Sequence, residues 1–263
     1  MPFRHVEEFK SLEFKNVYFK YPRQDAYILK GVTFVLNRGE RLSIVGVNGA
    51  GKTTIIKLML GLYDLESGQI LLNGFPLSEY FIDDVYSLFS VMFQQFAKYP
   101  LTLRENIALS AVRRINDTDS IIKAMEESGI YGQYGDKLDA NMTKKFDDNG
   151  IELSQGQWQK VALARTFFKN SSVYVFDEPS ASLDAEAEDY ILGNYLKLPE
   201  SKTGIMISHR IYGAKYSSKI IVLNEGKIIE AGSHDKLMEL NGFYAKLFTM
   251  QKEKYAYESG GNL

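Results

Sequence analysis

The chain contains 263 residues, of which 45% are hydrophobic and 24% are charged, a composition typical of a globular protein with a sizeable core. Its net charge of −2 excludes a global field that would recruit nucleic acid or an anionic membrane surface, and the absence of cysteine excludes disulfides and thiolate metal sites. No apolar run approaches the ~18 residues that span a bilayer, and the charged N-terminus lacks a signal-peptide core. We therefore expect any membrane connection to come through a partner or a segment outside this chain.

The first predicted elements are strands at residues 12–19, 27–36 and 42–45, with a turn at residues 37–40. We interpret the first two as an antiparallel sheet ahead of a phosphate-binding core. Tyr21 follows the first strand, where its ring could stack on a purine base. A core aromatic is an equally good interpretation, and residue spacing alone does not choose between the two.

A glycine-rich loop follows the third strand and leads into a helical pattern at residues 55–62. Strand, glycine loop and helix form the context of a phosphate-binding loop, in which backbone N–H groups point at phosphate oxygens. Lys52 can reach the β- and γ-phosphates, and the Thr53 hydroxyl can ligate Mg²⁺. A structural glycine turn with a solvated lysine is the alternative, which the flanking strand and helix disfavour. The predicted nucleotide site consists of Gly46, Asn48, Gly49, Ala50, Gly51, Lys52, Thr53 and Thr54.

The rest of the chain alternates between helical and strand patterns. Predicted strands lie at residues 69–73, 88–93, 173–176 and 204–207, with a hairpin formed by 220–223 and 227–230. Predicted helices lie at residues 103–129, 155–168, 185–196 and 237–251, and residues 131–149 are predicted to form loops or short helices.

Polar residues end two of the buried strands. Asp177 follows residues 173–176, at the carboxyl end where open α/β sheets bind ligands, and it can hold the hydration shell of Mg²⁺. Glu178 faces another way because strand side chains alternate, so it could orient or deprotonate a water. His209 ends the strand at 204–207 and could donate to a γ-phosphate, although a lone histidine is usually structural.

Residues 153–157 predict a helix start with Ser154 as the N-cap. A helix N-terminus that carries glycine and a hydroxyl is also an anion site. Because the loop around Lys52 already cradles a phosphate, we expect no phosphate of the same subunit to reach Ser154.

Taken in this order, the motifs resemble the nucleotide-binding domain of ATP-binding cassette transporters, over about residues 12–251. In that family the signature helix of one subunit caps the ATP bound to the phosphate loop of another, which implies a dimer that encloses two ATP–Mg²⁺. The resemblance rests on Tyr21, residues 46–54, Gln94, residues 153–157, residues 173–178, residues 182–184 and His209.

The resemblance implies a role for each matching residue. Tyr21 would stack on adenine, and residues 182–184 would form the loop that acts across the dimer. We assign the Mg²⁺- and water-contacting glutamine to Gln94 rather than Gln95, because its spacing to residues 104–107 matches the family. The implied catalytic residues are Lys52, Gln94, Glu178 and His209; the implied metal ligands are Thr53, Gln94 and Asp177; and the implied contacts to the nucleotide of the opposite copy are Ser154, Gly156 and Gln157.

One residue departs from the family pattern. Gln155 replaces the commoner glycine in the middle of the signature. The phosphate-facing residues Ser154 and Gly156 remain, so we expect function to survive.

The resemblance also implies a fold and its boundaries. We predict the α/β class, a P-loop NTPase core with an antiparallel β subdomain and an inserted α-helical subdomain. The predicted parts are 1–94 (β subdomain and P-loop part of the core), 95–168 (α-helical subdomain with the signature), 169–251 (remainder of the core) and 252–263 (flexible tail). The stretch between the phosphate loop and Asp177 is too long for an ordinary crossover, which supports an inserted subdomain.

Residues 102–107, 208–210 and 232–235 resemble exporters rather than importers, and Asp148 lies where the exporter loop that touches the membrane helices usually carries a glutamate. Residues 156–160 and 176–187 resemble exporters of lantibiotic-type peptides in Gram-positive bacteria. We therefore expect an ATPase that powers an exporter at the cytoplasmic face of the bacterial plasma membrane, excised from a chain with membrane helices.

The expected partners are a second nucleotide-binding domain, as a homodimer, and a transmembrane domain, with no nucleic acid. The alternative is a cassette ATPase that acts on nucleic acid or the ribosome without a transporter. A long coiled coil or a second cassette would indicate that class, and a single cassette with a compact insert fits it poorly.

Overall fold

The structure is a computed structural model that describes residues 3–145, 147–178, 192–208 and 211–260. The chain forms two compact units, Met1–Phe89 with Leu198–Leu263, and Ser90–Lys197. The predicted helical subdomain, 95–168, falls inside the second unit, and the predicted domain boundaries stay a prediction. Within the described residues, no helix is both long enough and apolar enough to cross a bilayer.

The described secondary structure begins with strands and becomes helical in the middle of the chain. The strands are β1 Ser11–Phe19, β2 Leu29–Asn37, β3 Arg41–Gly46, β4 Ser67–Leu72, β5 Phe75–Pro76, β6 Phe89–Met92, β7 Val173–Asp177, β8 Thr203–Ile207, β9 Lys219–Asn224 and β10 Lys227–Gly232. The α-helices are α1 Lys52–Met59, α2 Ile82–Leu88, α3 Leu103–Ala108, α4 Thr118–Ser128, α5 Tyr131–Tyr134, α6 Gln155–Lys169, α7 His234–Glu239 and α8 Phe243–Gly260. Short 3₁₀ helices cover Leu77–Glu79, Val112–Arg114 and Ile211–Tyr216.

A four-stranded antiparallel sheet of order β2-β1-β4-β5 opens the first unit. A bulge interrupts β1, where Asn16 has a left-handed φ of 48° and the register with β2 shifts between Phe14 and Val17. The extra residue returns the later part of β1 to the same face, so Leu12, Phe14, Val17 and Phe19 are all buried. The predicted strand at 12–19 is thereby confirmed.

The strand that leads into the glycine loop is central in the first unit. β3 pairs in parallel with β8 on one side and with β9 on the other. Its residues from Leu42 to Gly46 are buried, as expected of a parallel strand covered on both faces. β9 continues into β10 through a turn at Glu225 and Gly226, both with positive φ, which confirms the predicted hairpin.

The second unit is built around α6. The helices α3 and α4 pack against it, and β7 lies next to β6. The helical core is formed by apolar side chains at helical spacing, and it includes Leu103, Ile107, Ile121, Met125, Trp158, Val161 and Phe168.

Two predicted helices differ from the structure, and one helix was not predicted. The predicted helix at 103–129 is two α-helices with a 3₁₀ turn between them, because Thr102 caps the first and Asp117 starts a second. The helix α2 is not predicted from the sequence. The predicted helix at 237–251 is two helices separated at Asn241, whose φ of 48° ends the first. The second extends past residue 252, where the sequence predicts a tail to begin.

Candidate functional site

The glycine loop between β3 and α1 has the backbone that its sequence predicts. Gly46 has a φ of 156°, and a side chain at this position would collide with the Leu223 carbonyl of β9. Gly51 starts α1 with a left-handed φ of 104°, and a Cβ atom there would lie 2.7 Å from Leu29 Cδ2. Only glycine fits either position without strain. The first N–H groups of α1 therefore face the loop with no capping side chain on Gly51, which suits an anion.

Lys52 is folded back over this loop. Only 5% of the residue is exposed, and its Nζ donates to the carbonyl oxygens of Gly46 and Val47 at 3.0 and 3.1 Å. The ammonium group thus lies at the mouth of the loop, in reach of an anion that the loop would hold. The structure places Lys52 with the loop residues as the sequence predicts.

Tyr21 is half-buried in a small aromatic group beside α1. Its Oη lies 3.1 Å from Thr54 Oγ1, and its ring lies 5.0 Å from the ring of Phe19 and 5.2 Å from that of Tyr63, both nearly perpendicular. Lys57 Nζ lies 5.3 Å from the ring centre. The hydroxyl group of Thr54 is therefore engaged by protein. Lys57 and Tyr63 were missed by the sequence analysis, since neither belongs to a motif.

The acidic strand end lies in the second unit. Asp177 is fully buried at the end of β7, and Glu178 leaves the strand with a left-handed φ of 48°. A non-glycine residue in this region costs about 1–3 kcal/mol and is often retained for function. Gln94 Nε2 donates to Glu178 Oε2 at 2.8 Å, so the structure brings two predicted catalytic residues together.

The segment that follows Gln94 is held from α6. Arg165 donates to the carbonyl oxygens of Ala97 (2.7 Å) and Asn106 (2.8 Å), and to Asn106 Oδ1 (2.6 Å). Burial lowers the pKa of Arg165 to about 10. Asn106 is fully buried and itself donates to the carbonyl oxygens of Tyr99, Leu101 and Thr102. Arg165 and Asn106 therefore fix the backbone between Gln94 and α3.

The predicted signature helix begins as its sequence indicates. Ser154 Oγ accepts from Gln157 N, and Gln157 Oε1 accepts from Ser154 N, which together form a capping box at the start of α6. Gln157 Nε2 donates to Gln133 Oε1 at 3.1 Å. The side chain of Gln157, a predicted nucleotide contact, therefore supports the helix start. Gln133 lies in the stretch predicted as loops or short helices, and no local signal identifies it.

Two parts of the predicted site lie outside the described residues. They are His209 and the loop at residues 182–184. Within the described residues, no group of three or more His, Asp or Glu side chains could hold a metal ion alone.

Comparison with known proteins identifies the family. Residues 29–181 match the family described as "ABC transporter". This chain belongs to the ABC transporter family. The resemblance that the motifs carry is confirmed, and so is the predicted fold class.

The relatives of this ABC domain are transport proteins. It is 39% identical over 249 residues to the subtilin transport ATP-binding protein SpaT of Bacillus subtilis, covering 92% of this chain and 40% of the relative. It is 39% identical over 239 residues to the nisin transport ATP-binding protein NisT of Lactococcus lactis subsp. lactis, covering 89% of this chain and 39% of the relative. An ATP-dependent lipid A-core flippase of Haemophilus ducreyi is 34% identical, with 91% of this chain and 41% of the flippase covered.

A solved structure agrees with this assignment. The ABC domain superposes on a bacterial Atm1-family ABC exporter with ATP bound, with a TM-score of 0.85 and 31% identity, covering 95% of this chain and 43% of the exporter. It thus spans about 40% of the length of the relatives it matches. Family membership implies nucleotide binding. The relatives support transport and give no support to the alternative, an ATPase acting on nucleic acid or the ribosome.

Proposed function

We propose that this ABC domain hydrolyses ATP to power an exporter: two copies close on ATP, and hydrolysis reopens them to drive attached membrane helices. The observation that carries the proposal is the hydrogen bond from Gln94 Nε2 to Glu178 Oε2. It joins a carboxylate at the end of a buried strand, in an unusual backbone conformation, to an amide that can also bind water. A nucleotide-binding adapter without catalysis would have no need of that pair.

The nucleotide is held by the first unit. The loop N–H groups and Lys52 bind the phosphates, with Gly46, Asn48, Gly49, Ala50, Gly51, Thr53 and Thr54 as the remaining loop contacts. Lys52 exchanges its bonds to the loop carbonyls for bonds to phosphate oxygens, which are stronger because both partners are charged. Tyr21 stacks on the adenine ring.

Hydrolysis is assigned to the acidic strand end. Glu178 accepts a proton from the water that attacks the γ-phosphorus, while the bond to the bridging oxygen breaks and ADP leaves with that electron pair. Gln94 orients the same water, and His209 donates to the γ-phosphate. Thr53, Gln94 and Asp177 would hold Mg²⁺, which supplies positive charge to the phosphates.

A second copy completes the site through its signature helix. Ser154 Oγ accepts from Gln157 N and keeps its own hydrogen to donate to a phosphate oxygen. Gly156 allows the backbone to approach closely, and Gln157 holds Ser154 in place. To move a 1:99 population to 99:1, ATP must favour the closed pair by about 5.5 kcal/mol.

We further propose a peptide cargo of the lantibiotic type and a place at the cytoplasmic face of the bacterial plasma membrane. The two relatives at 39% identity are named for subtilin and nisin transport, whereas the lipid flippase of Haemophilus ducreyi is 34% identical. The transmembrane domain is expected in the same full-length chain, because this chain covers about 40% of each relative. The reading frame upstream of Met1 tests this point, since it should encode membrane helices.

Glu178→Gln tests the function directly. We expect ATP turnover to fall at least about a hundredfold, with ATP affinity retained, and ATP to trap a dimer visible by size-exclusion chromatography. Lys52→Ala should instead lose ATP affinity or turnover. Glu225→Gln, at an exposed turn, is the matched control and should match the parent. Parent turnover in Glu178→Gln would remove Glu178 as the base.

A further inference from the structure

The segment that carries Gln94 is fixed at its start by the sheet. Residues 93–102 connect β6 to α3, and we call this segment the Gln94 loop. β6 ends at Met92, which is buried, and it is paired with β7. β7 leads directly into Glu178, whose Oε2 accepts from Gln94 Nε2. Whether the two side chains meet therefore depends on the path that the Gln94 loop takes after β6.

The middle of the Gln94 loop is held by a cation on α6. Arg165 donates through Nη1 to the carbonyl oxygen of Ala97 at 2.7 Å. The same guanidinium donates through Nε to the carbonyl oxygen of Asn106 and through Nη2 to its Oδ1, at 2.8 and 2.6 Å. Three nitrogen atoms of one planar group thus bind the loop and α3 together, a geometry that a lysine ammonium cannot reproduce.

The last part of the Gln94 loop is held by Asn106, and Arg165 fixes the orientation of that amide. A guanidinium can only donate, so it turns Asn106 Oδ1 towards itself and leaves the amide NH₂ group to face the loop. That NH₂ group donates to the carbonyl oxygens of Tyr99 (3.2 Å), Leu101 (3.0 Å) and Thr102 (3.0 Å). Arg165 therefore acts on the loop twice, at Ala97 directly and at its end through Asn106.

The environment of Arg165 is an expensive one for a cation. Its three acceptors are carbonyl and amide oxygens, which are neutral, and its Cζ lies 5.2 Å from the ring centre of Tyr99. Burial lowers the pKa of Arg165 to about 10, so the group is still protonated at neutral pH. Apolar side chains often stabilise a core as well as buried charge does. The contribution that is particular to Arg165 is thus the defined path of the Gln94 loop.

We propose that Arg165 is a positioning residue for ATP hydrolysis: by holding the Ala97 carbonyl and orienting Asn106, it keeps Gln94 at Glu178. Gln94 lies two residues after the end of β6 and three before Ala97, so its Cα is within about 7.6 Å of one fixed point and about 11.4 Å of the other. The inference rests on the proposed function, which gives the Gln94–Glu178 pair its role. Arg165 has no proposed contact with the nucleotide, so its loss should lower kcat and leave ATP affinity unchanged.

Two substitutions and a matched control test the role of the guanidinium. Arg165→Met removes every donor and keeps an unbranched side chain with good helix propensity, whereas Arg165→Lys keeps the charge without the planar fork. We expect kcat to fall about 10- to 100-fold in Arg165→Met and less in Arg165→Lys, with the ATP Kd within about twofold of the parent. Arg113→Met and Arg113→Lys, at an exposed position of the same unit, should keep the parental kcat.

A further substitution shows whether Arg165 acts through Gln94. Gln94→Ala removes the amide that Arg165 is proposed to position. In that background each Arg165 variant should change kcat by less than about twofold, because the effects of two residues that act as a unit are not additive. The loss of stability in urea, by contrast, should be the same in both backgrounds. A purely structural role would lower kcat by the same factor with and without Gln94.

Each result supports or overturns the inference. Parental kcat in both Arg165 variants, a loss in ATP Kd rather than in kcat, an equal fall in the Arg113 variants, or an equal fall in the Gln94→Ala background overturns it while ATP hydrolysis stands. A fall confined to Arg165→Met supports it, since a lysine can still reach one oxygen.

Two results concern the proposed function itself. If Gln94→Ala keeps the parental kcat, Gln94 has no role in hydrolysis and the inference falls with that assignment. A parent that does not hydrolyse ATP overturns the proposed function and the inference together. If Arg165→Met does not fold, the kcat of Arg165→Lys decides, and a parental value overturns the inference. If neither variant folds, Arg165 serves folding alone and the inference is overturned.

Discussion

Tyr21 Oη and Thr54 Oγ1 lie 3.1 Å apart, so the residue just beyond the bulged strand β1 is tied to the first turn of α1. Thr54 is almost completely buried, whereas Tyr21 is only half-buried. The hydroxyl group of the tyrosine thus serves the fold, and its ring stays accessible in part. The two roles that the sequence left open for Tyr21 are compatible, because they use different parts of the side chain.

This division leads to a prediction about ATP affinity. Tyr21→Ala removes the ring and should weaken ATP binding by about 5- to 150-fold, the range expected for stacking of a base on an aromatic side chain. Tyr21→Phe keeps the ring and should hold the ATP Kd within about twofold, with about 1 kcal/mol less stability from the lost hydrogen bond. Titration calorimetry and urea unfolding measure the two effects. If the parent, Tyr21→Ala and Tyr21→Phe bind ATP with equal affinity, Tyr21 does not stack on the adenine ring.

A second prediction concerns magnesium. Thr53→Ala and Asp177→Asn should each raise the Mg²⁺ concentration at half-maximal ATP turnover, by about tenfold or more. The first removes the proposed hydroxyl ligand, and the second removes the negative charge that would face the cation or its water shell. Chelation with excess EDTA should abolish turnover in the parent. Asp235→Asn, an exposed substitution in α7, serves as the control for a lost carboxylate. An unchanged Mg²⁺ requirement in both variants would refute the assigned ligands.

Ser154 allows capping and phosphate binding to be separated. Ser154→Ala loses the cap and should destabilise the chain by about 1 kcal/mol, whereas Ser154→Asp keeps an N-cap acceptor and should remain as stable as the parent. Both should impair ATP-driven association, and the aspartate more strongly, because its carboxylate repels the phosphate. Size-exclusion chromatography with ATP, in the Glu178→Gln background, measures association. If Ser154→Asp forms the dimer at the same ATP concentration as the chain with Ser154, then Ser154 does not contact a phosphate.

The start of α4 gives a prediction about pH. A hydrogen bond from Arg114 and bonds to Ser120 lower the pKa of Asp117 below its ordinary value of 3.8. Because the folded-state pKa is the lower one, the ionised Asp117 stabilises the fold above pH 3.8 and loses this effect as the pH falls through the folded value. Asp117→Asn should therefore be less stable than the parent at pH 7. The difference in stability between the two chains should become smaller as the pH is lowered.

Urea midpoints between pH 7 and pH 3 measure that difference. The effect should be small, since both side chains are partly exposed to solvent. In an Arg114→Gln background the substitution at Asp117 should change the pH profile less, because the main cause of the lowered pKa is gone. If the difference in urea midpoint between the parent and Asp117→Asn does not change with pH, the charge of Asp117 does not contribute to stability.

Local patterns made much of this fold predictable from the sequence. Residues 42–45 and 55–62 indicated β3 and α1, and the structure gives Arg41–Gly46 and Lys52–Met59. A strand, a loop with positive-φ glycines and a helix are each specified within a few residues. The same holds for the capping box at Ser154 and the hairpin turn at Glu225.

Elements whose signals conflict were predicted less well. Apolar residues spaced by about four continue from Ile107 to Met125 and suggested one helix, but Asp117 caps a new helix inside that run. The helix α2 was missed because its seven residues contain only two buried positions, Val85 and Leu88. Periodicity over a stretch as short as α2 is a weak signal. In the longer run, the N-cap at Asp117 determines where the helix begins, although the apolar spacing continues through it.

Local sequence patterns do not predict the long-range contacts. The bond from Ile211 to Gln251 joins residues 40 apart, and Glu230 caps a helix that begins 13 residues later. Neither pair lies within one element, so no helical or strand period relates its members. The Gln94–Glu178 bond spans 84 residues, and only the family resemblance assigned these two residues to one site.

The short strand β5 is a poor template for strand pairing between molecules. It forms one margin of the four-stranded sheet, and its second residue, Pro76, lacks an N–H group. A neighbouring molecule therefore finds almost no ladder of donors and acceptors to extend at this margin. If two copies associate and separate in each ATP cycle, as proposed above, an edge that cannot pair with another strand keeps that association reversible.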